Sequence, residues 1–422
     1  MTASDEVPGS LSESYAHGIV PASAQGSAWR LFFIMAGGLC GLPAFTLGAR
    51  IMGSMAPTAG VQAILAGSLI LAAVGGVTAG IGSKSRMSLA LLAEPVFGSA
   101  GAQLVRLAVS TALVGWYAVE VGLMGATVHG ALVSFVGVET PEWLMSMVLT
   151  LLVGGVASRG TVGLERLGIV LIPLGAMLLA ASVALAWPGV QGGRPAPAVA
   201  MGFGQAVSAV IGAYVVGIVI QPDYSRFVRR PVAARASIMV VLGVVFPLIL
   251  IGSSVSGALL GQPDLLAAMT VLGYGPPAFA ILMLGAGLDA SSCLYSGSLS
   301  LSAQFERARF GWVVMLVSAL GLLMDLLRVG QAFVPFLTIL SIALPPIAAI
   351  MACSMSGADL SAGTSARFRG GALSAWAAGS AVGLASTTGL LSLTQIPSLD
   401  AMLTAAVIMK ASQALRGAFA AQ

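Results

Sequence analysis

Two carboxylic acids lie inside long apolar stretches of the sequence, where charged side chains are rare. Asp289 lies in the stretch 285–293 and Glu120 in the stretch 115–120. A carboxylate at the centre of a lipid bilayer costs at least about 2.5 kcal/mol on insertion scales, so each acid is a candidate functional group. Asp289 could ligate a cation or carry a proton. The alternative is that a serine or a backbone amide of a neighbouring helix satisfies it.

Glu120 follows Trp116 by four residues, a spacing that places both side chains on one face of a helix. An aromatic plane beside a carboxylate suits a flat, polar heterocycle. Stacking orients the ring, and the carboxylate accepts hydrogen bonds from its N–H groups. The alternative is that Trp116 belongs to a packing interface and Glu120 to a helix end.

A third feature is a cluster of residues that disfavour helix. The stretch 37–43 contains three glycines and Pro43 near the middle of an apolar segment. Glycine lowers helix stability and proline lacks a backbone donor, so this stretch predicts either a broken helix or a packing face with a kink. A break would free carbonyl groups for a cation and amides for a polar ligand. Gly212 and Gly217 predict a second break.

The elements that position these residues are membrane helices. Of the 422 residues, 58% are hydrophobic and only 8% are charged, whereas soluble domains carry about 25% charged residues. Such a chain is solvated by lipid, in which about 20 apolar residues form one spanning helix. Twelve apolar segments between polar breaks are predicted as spans: 28–53, 58–82, 103–130, 142–158, 166–187, 203–221, 235–260, 276–302, 311–328, 331–354, 371–393 and 399–418.

The basic residues predict the orientation of these spans. With residues 1–26 as a cytoplasmic tail, every Lys and Arg lies on the cytoplasmic side except Arg50, Arg194 and Arg328. This asymmetry follows the positive-inside rule and predicts a multi-pass protein of the cell (inner) membrane with both termini in the cytoplasm. Asp223 and Arg226 are interpreted as an interfacial ion pair.

Several function classes lack the residues they need. The sequence has no GxxxxGK[ST] motif for nucleotide phosphates, no HExxH and no Gly-x-Ser-x-Gly. Its three cysteines form no CxxC pair, and it has only two histidines. We therefore predict no enzyme, no cofactor, no nucleic-acid partner and no obligate protein partner. The lipid bilayer and a small heterocyclic substrate are the predicted partners.

Four sequence stretches carry a resemblance to a known family. The lead-in 15–29, the loop 82–88, Gly115-Trp116-Tyr117-Ala118 with Glu120, and most specifically Pro222-Asp223-Tyr224-Ser225-Arg226-Phe227 are similar to motifs of the nucleobase:cation symporter-1 family. This family comprises cytosine, purine, hydantoin and allantoin permeases, and the chain resembles its cytosine-permease-like members.

The resemblance implies an all-α LeuT-like fold of about 12 transmembrane helices. Residues 27–422 would form one transporter domain, with inverted five-helix repeats at 27–187 and 203–354 and two terminal helices at 371–418. Helices 1 and 6 would be broken at mid-membrane, and the substrate would lie between helices 1, 3, 6 and 8.

The same resemblance implies roles for individual residues. Trp116 would stack on the substrate, and Glu120 stands where many members have a glutamine. Asp289 stands where members have a cation-binding threonine, so Na⁺ or H⁺ is the predicted coupling ion and Asp289 a possible Na⁺ ligand. The other predicted substrate contacts are Gly38, Leu39, Gly212, Tyr214, Ser292 and Cys293. The other predicted cation contacts are the backbone carbonyls of Gly37, Gly41, Gly285 and Leu288.

The predicted function is a secondary active transporter that imports a nucleobase-like heterocycle, cytosine or a related pyrimidine or purine, by cation symport with alternating access. Because an ionised carboxylate only accepts hydrogen bonds, Glu120 favours substrates rich in N–H groups or positive charge. A hydroxymethylpyrimidine-like substrate is therefore an alternative. A channel or a transport-like sensor is a further one.

Overall fold

The computed structural model describes residues 18–158, 161–186, 201–262, 265–302, 310–328, 333–355 and 366–420. Each of the twelve predicted spans contains a helical segment there. We number them α1a (Ala28–Gly38), α1b (Leu42–Ser54), α2 (Pro57–Ser85), α3 (Ser99–Val136), α4 (Glu142–Ala157), α5 (Thr161–Ala186), α6a (Phe203–Val219), α6b (Gln221–Ser225), α7 (Pro231–Leu260), α8 (Gly275–Ser302), α9 (Phe310–Leu326), α10a (Phe333–Ala343), α10b (Pro345–Met355), α11 (Gly370–Thr387) and α12 (Pro397–Ala420).

The lengths of these helices fit a bilayer. Among the described residues, six helical stretches are long and apolar enough to span it, and the bent pair α1a/α1b makes a seventh. One of the six is formed by α10a and α10b together. The helices α4, α6a and α9 are apolar but shorter. Two short helices, Leu89–Phe97 and Leu265–Val271, lie in the connections. Most of the predicted tail, residues 1–17, lies outside the described residues.

The break predicted in the first span is confirmed. Helix α1a ends at Gly38, α1b begins at Leu42, and the two halves meet at 59°. Gly41 caps α1b in extended conformation, and Pro43 occupies its first turn. Proline is tolerated there because first-turn N–H groups have no helical partner. The glycines and the proline therefore end one helix and start the next.

The break in span 6 lies elsewhere than predicted. Helix α6a continues through Gly212 and Gly217 and ends at Val219, and α6b begins at Gln221. Pro222 explains the position, because it cannot donate a hydrogen bond within a continuous helix but fits the first turn of a new one. Gly212 instead allows close packing, since a Cβ there would collide with the Leu337 carbonyl of α10a.

The helix contacts follow the pattern of two five-helix repeats. Helix α1a packs on α5 as α6a packs on α10a, and α1b packs on α7 as α6a packs on α2. Helices α3 and α8, equivalent positions in the two halves, pack extensively on each other, and α11 packs on α12. The all-α membrane fold with broken first and sixth helices is confirmed. The exact repeat limits stay a prediction.

One end of the bundle is closed by a buried polar network. The Gln25 amide donates to the backbone carbonyls of Ser83 and Arg226, at 3.2 and 3.0 Å. Asp223 accepts from the backbone N–H of Leu89 at 2.8 Å. Asp223 and Arg226 are almost fully buried within the protein. Their predicted position at the membrane interface stays a prediction. The guanidinium lies 4.9 Å from the ring centre of Phe227, within the range of a cation–π contact.

The loop between α11 and α12, residues 388–396, folds around another buried acid. Asp400 is fully enclosed, and each of its oxygens accepts several hydrogen bonds. The donors are the Ser386 hydroxyl at 2.7 Å, the Ser392 hydroxyl at 3.4 Å, the Leu393 N–H at 3.1 Å, and the Thr394 N–H and hydroxyl at 2.8 and 2.6 Å. The loop itself is largely exposed, so the carboxylate is shielded mainly by its own donors.

Candidate functional site

A small cavity lies where α1a, α3, α6a and α8 meet, next to both helix breaks. Its volume is about 50 Å³. Its walls are mostly apolar, with a carboxylate, two phenols, an indole, a hydroxyl and a thiol among them. The lining residues are Ile34, Met35, Gly38, Leu113, Trp116, Ala213, Tyr214, Val216, Gly217, Ile220, Tyr224, Asp289, Ser292 and Cys293.

Trp116 is the aromatic plane of this cavity. Its indole N–H donates to Asp289 Oδ2 at 3.2 Å, and its ring lies against Phe336 of α10a with centroids 5.9 Å apart. The hydrogen bond and the ring contact together restrict both torsions of the side chain. The indole is thus held in place before any substrate binds, which lowers the entropy cost of stacking.

Asp289 and Glu120 meet in space, which the sequence did not predict. Their carboxyl groups lie within hydrogen-bonding reach of each other across the α3–α8 contact. Asp289 lines the cavity, whereas Glu120 is fully buried behind it. Glu120 therefore does not line the cavity and is not placed to bond a substrate directly. It contacts Asp289, whose carboxylate does line the cavity.

Tyr214 contributes the aromatic side chain of α6a. Its hydroxyl contacts the Met35 sulfur at 3.4 Å, and the Gln221 amide contacts the same sulfur at 3.3 Å. Its ring lies 5.8 Å from that of Phe246 on α7. The broken ends of α1 and α6 are thus connected through one polarisable thioether, a side chain that adapts its shape easily.

Tyr224 is a cavity residue that sequence reasoning missed. Its hydroxyl donates to the Ser292 carbonyl at 3.1 Å and accepts from the Ser296 hydroxyl at 3.0 Å, which ties α6b to α8. A signal for it existed. Tyr224 lies inside the motif 222–227, two residues after the proline that breaks span 6.

The predicted substrate residues divide into two groups. Five of them line the cavity together: Gly38, Trp116, Tyr214, Ser292 and Cys293. The other three lie outside its lining: Leu39, which is buried at the break, Glu120, which is behind Asp289, and Gly212, which packs on α10a.

The predicted cation residues lie where α1 crosses α8, and Asp289 contacts both α1 and α3. Gly285 packs directly on the Cys40 carbonyl, and the Leu288 side chain packs on Gly37. The Gly37 carbonyl accepts from the Cys40 N–H at 3.1 Å. The carboxylate of Asp289 contacts Trp116 of α3 through Oδ2, and its Oδ1 lies beside Gly38 of α1a. Within the described residues, no three His, Cys, Asp or Glu side chains form a metal site.

A larger groove of about 830 Å³ lies between α1a and α7, at the end that carries Arg229 and Arg230. Its lining includes Trp29, which is 66% exposed, and it shares no residue with the central cavity. We take the central cavity as the functional site despite its smaller size. It alone combines a buried carboxylate, an oriented indole and two helix breaks, features that mark transporter sites.

Comparisons with known proteins identify the family. Residues 19–359 match the family described as permease for cytosine/purines, uracil, thiamine, allantoin. The cytosine permease of Escherichia coli K12 is 27% identical over 347 residues, 81% of each protein.

Two solved structures share the fold. Mhp1, a nucleobase-cation-symport-1 family transporter in a closed conformation with bromovinylhydantoin bound, has a TM-score of 0.78 at 18% identity over 93% of each chain. MhsT in complex with L-phenylalanine has a TM-score of 0.59 at 14% identity, over 92% of this chain and 98% of that one. The resemblance seen in the sequence is confirmed. The chain belongs to the family of permeases for cytosine/purines, uracil, thiamine and allantoin, and it is a membrane transporter and not an enzyme.

Proposed function

We propose that this transporter imports a nucleobase-like heterocycle, cytosine or a related pyrimidine or purine, together with a cation. The observation that carries the proposal is the central cavity, in which the oriented Trp116 indole adjoins the Asp289 carboxylate. A flat ring can stack on the indole while its N–H groups bond to the carboxylate. The relation to a cytosine permease supports the same substrate class.

The transport cycle that we propose is alternating access around this fixed site. The breaks of α1 and α6 flank the cavity, so rocking of these helices against α3 and α8 would open it to one side at a time. The distribution of basic residues supports an orientation in the inner membrane with both termini in the cytoplasm. The buried network around Gln25 then lies on the cytoplasmic side.

Uptake of radiolabelled cytosine by cells that express the protein tests the site. Stacking of a base on an aromatic side chain contributes about 1–3 kcal/mol by alanine substitution, so Trp116→Ala is expected to reduce uptake by roughly tenfold or more. The matched control is Trp312→Ala on α9, whose side chain is 66% exposed. Undiminished uptake in Trp116→Ala would refute the site.

A cationic or N–H-rich heterocycle of the hydroxymethylpyrimidine type is a second candidate substrate. It is favoured by the carboxylate that faces the cavity, where no described lining residue is Lys, Arg or His. Competition of unlabelled hydroxymethylpyrimidine against labelled cytosine separates the two. Counterflow in proteoliposomes tests the carrier mechanism itself, because a channel shows no acceleration by substrate on the opposite side.

A further inference from the structure

The contact between Glu120 and Asp289 leaves Glu120 with an unusual set of neighbours. Glu120 is fully buried, and no N–H or hydroxyl group in the described part of the chain donates to either of its oxygens. The polar group that it contacts is the carboxyl of Asp289. A buried ionised carboxylate normally requires donors or a cation. Glu120 has neither among these neighbours.

The chemistry of this contact requires a proton. An ionised carboxylate has no hydrogen to donate, so two carboxyl groups form a hydrogen bond only when one of them is a neutral acid. With both groups ionised, two like charges would face each other in an apolar interior, which is strongly unfavourable. One proton shared by the pair removes that repulsion and supplies the missing donor.

The groups that surround the pair do not supply an opposite charge. Helix α3 presents Trp116, α6a presents Tyr214, α8 presents Cys293 and α1a presents Met35. In the portion of the chain that the structure covers, no Lys, Arg or His borders either carboxyl. Among the described N–H groups, the Trp116 indole donates to Asp289, and it does not carry a charge.

The two acids differ in access to the cavity. Asp289 accepts from Trp116 through Oδ2, and its Oδ1 lies beside Gly38 at the break of α1. Glu120 lies behind it, away from the lining. The arrangement suits a neutral Glu120 whose O–H donates to an ionised Asp289. Asp289 then remains an acceptor for a substrate N–H.

We propose that the Glu120–Asp289 pair is the coupling-ion site and that the ion is a proton. This inference rests on the proposed function and specifies its cation. One proton bound to the pair would enter with one substrate molecule and leave with it on the cytoplasmic side. Loss of the proton leaves two adjacent negative charges, which disfavours the closed packing of α3 on α8. Proton release and substrate release are thereby linked.

The contact between α1 and α8 argues against Na⁺ at the same position. There the Gly285 backbone lies directly on the Cys40 carbonyl. The Leu288 carbonyl accepts from the Ser292 hydroxyl at 2.9 Å, and the Gly37 carbonyl accepts from the Cys40 N–H at 3.1 Å. These backbone carbonyls, which would have to converge on a cation, instead accept hydrogen bonds from groups of their own helix or break. Asp289, the expected anionic ligand, already accepts the Trp116 indole N–H of α3 through Oδ2.

Infrared difference spectroscopy tests the proton without reference to any substrate. The carbonyl stretch of a carboxylic acid is separated from that of a carboxylate. We expect the spectrum of wild type minus Glu120→Gln, at neutral pH in the purified full-length protein, to contain an acid band. Subtraction of Glu139→Gln, an exposed loop residue, is expected to give none. The lack of a Glu120-dependent acid band in the wild type would overturn the proposal, whatever the substrate is.

Flux measurements in proteoliposomes test the coupling. With Na⁺ replaced by choline, an inward proton gradient of one pH unit is expected to drive up to about tenfold accumulation of labelled cytosine, since one pH unit corresponds to about 1.36 kcal/mol per proton. The ratio of proton flux to cytosine flux is expected to fall in Glu120→Gln and to be retained in Glu139→Gln. Accumulation that requires Na⁺ and ignores the pH gradient would refute proton coupling.

The two measurements separate failure of this inference from failure of the proposed function. If the wild type shows no cytosine counterflow, cytosine is not the substrate, and the infrared result still decides whether the pair holds a proton. If counterflow occurs but Na⁺ alone drives accumulation, the substrate assignment stands and the proton site is wrong.

Discussion

Two fully buried acids in this transporter have opposite surroundings. Asp400, at the start of α12, accepts five hydrogen bonds from the loop that precedes it and from α11. Glu120, in the middle of α3, accepts none from any described N–H or non-carboxyl O–H group. Both side chains are inaccessible to solvent. Burial alone therefore does not distinguish a structural acid from a functional one.

The difference lies in what each negative charge finds around it. The charge of Asp400 is compensated by fixed dipoles of its own loop, so the acid holds that loop against the terminal helices. The charge of Glu120 has no such compensation, so the side chain is stable as a neutral acid or beside a transported cation. The number of hydrogen-bond donors around a buried carboxylate thus distinguishes a structural acid from a functional one. Substitutions at both residues test this distinction.

The largest effect on stability is expected at Asp400. Asp400→Ala removes five hydrogen bonds, and their donors then bond to water or stay unpaired. We expect the free energy of unfolding to fall by about 2–4 kcal/mol, because the loop is partly exposed and water can reach some of these donors. Thermal unfolding of the purified protein in detergent measures it. The control is Glu139→Ala on the exposed 137–140 connection, expected to change stability little. Equal stability of both variants would contradict the structural role of Asp400.

A double-mutant cycle measures the contact between the two central acids. Glu120→Gln and Asp289→Asn each alter the shared hydrogen bond, so their effects on unfolding should not add. We expect an interaction free energy of about 1–2 kcal/mol, as for residues in direct contact. The same cycle between Glu120→Gln and Asp400→Asn, in separate regions, is expected to give additivity. Additive effects in the first cycle would contradict the paired arrangement.

One donor of the Asp400 loop can be removed alone. Ser386→Ala deletes the 2.7 Å hydrogen bond from its hydroxyl, and we expect about 1 kcal/mol of destabilisation in the same unfolding assay. Ser374→Ala is the matched control, because this exposed serine of α11 bonds only within its own helix turn. A loss as large as that of Asp400→Ala would mean that one donor dominates the cluster.

The smallest change in stability is expected when Glu120 becomes apolar. Glu120→Met keeps the side-chain volume and removes a buried acid, so we expect stability within about 1 kcal/mol of the wild type, or above it. Cytosine uptake is nevertheless expected to be lost. This pattern, stable and inactive, is the reverse of a structural residue. Destabilisation comparable to Asp400→Ala would instead assign Glu120 to the structural class.

The sequence predicted the fold better than the contacts between helices. The helical segments found in the twelve predicted spans follow from their apolar runs, and the break in α1 follows from its glycines and Pro43. The break in α6 was placed too early because glycine alone was read as a break. In a packed membrane helix glycine also serves close approach, as Gly212 does. Pro222 was the better signal.

The pairing of Glu120 with Asp289 could not be predicted from the sequence. The two residues lie on helices far apart along the chain, and their contact depends on the rotation and tilt of α3 against α8. Each acid was recognised by its depth in the membrane, but they were assigned to separate substrate and cation roles. Arg226 shows the same limit, since only the packed structure places its guanidinium inside the bundle.

Cys40, at the break of α1, allows this region to be labelled with thiol reagents. Its sulfur is buried and lies against the Ala36 carbonyl at 3.7 Å, while Cys293 lines the cavity on α8. The third cysteine, Cys353, is partly exposed and can be replaced by alanine. In that background, the rate at which a membrane-permeant maleimide alkylates Cys40 and Cys293 would report how often the break opens. The protein thus carries its own pair of chemical reporters at the hinge and in the cavity.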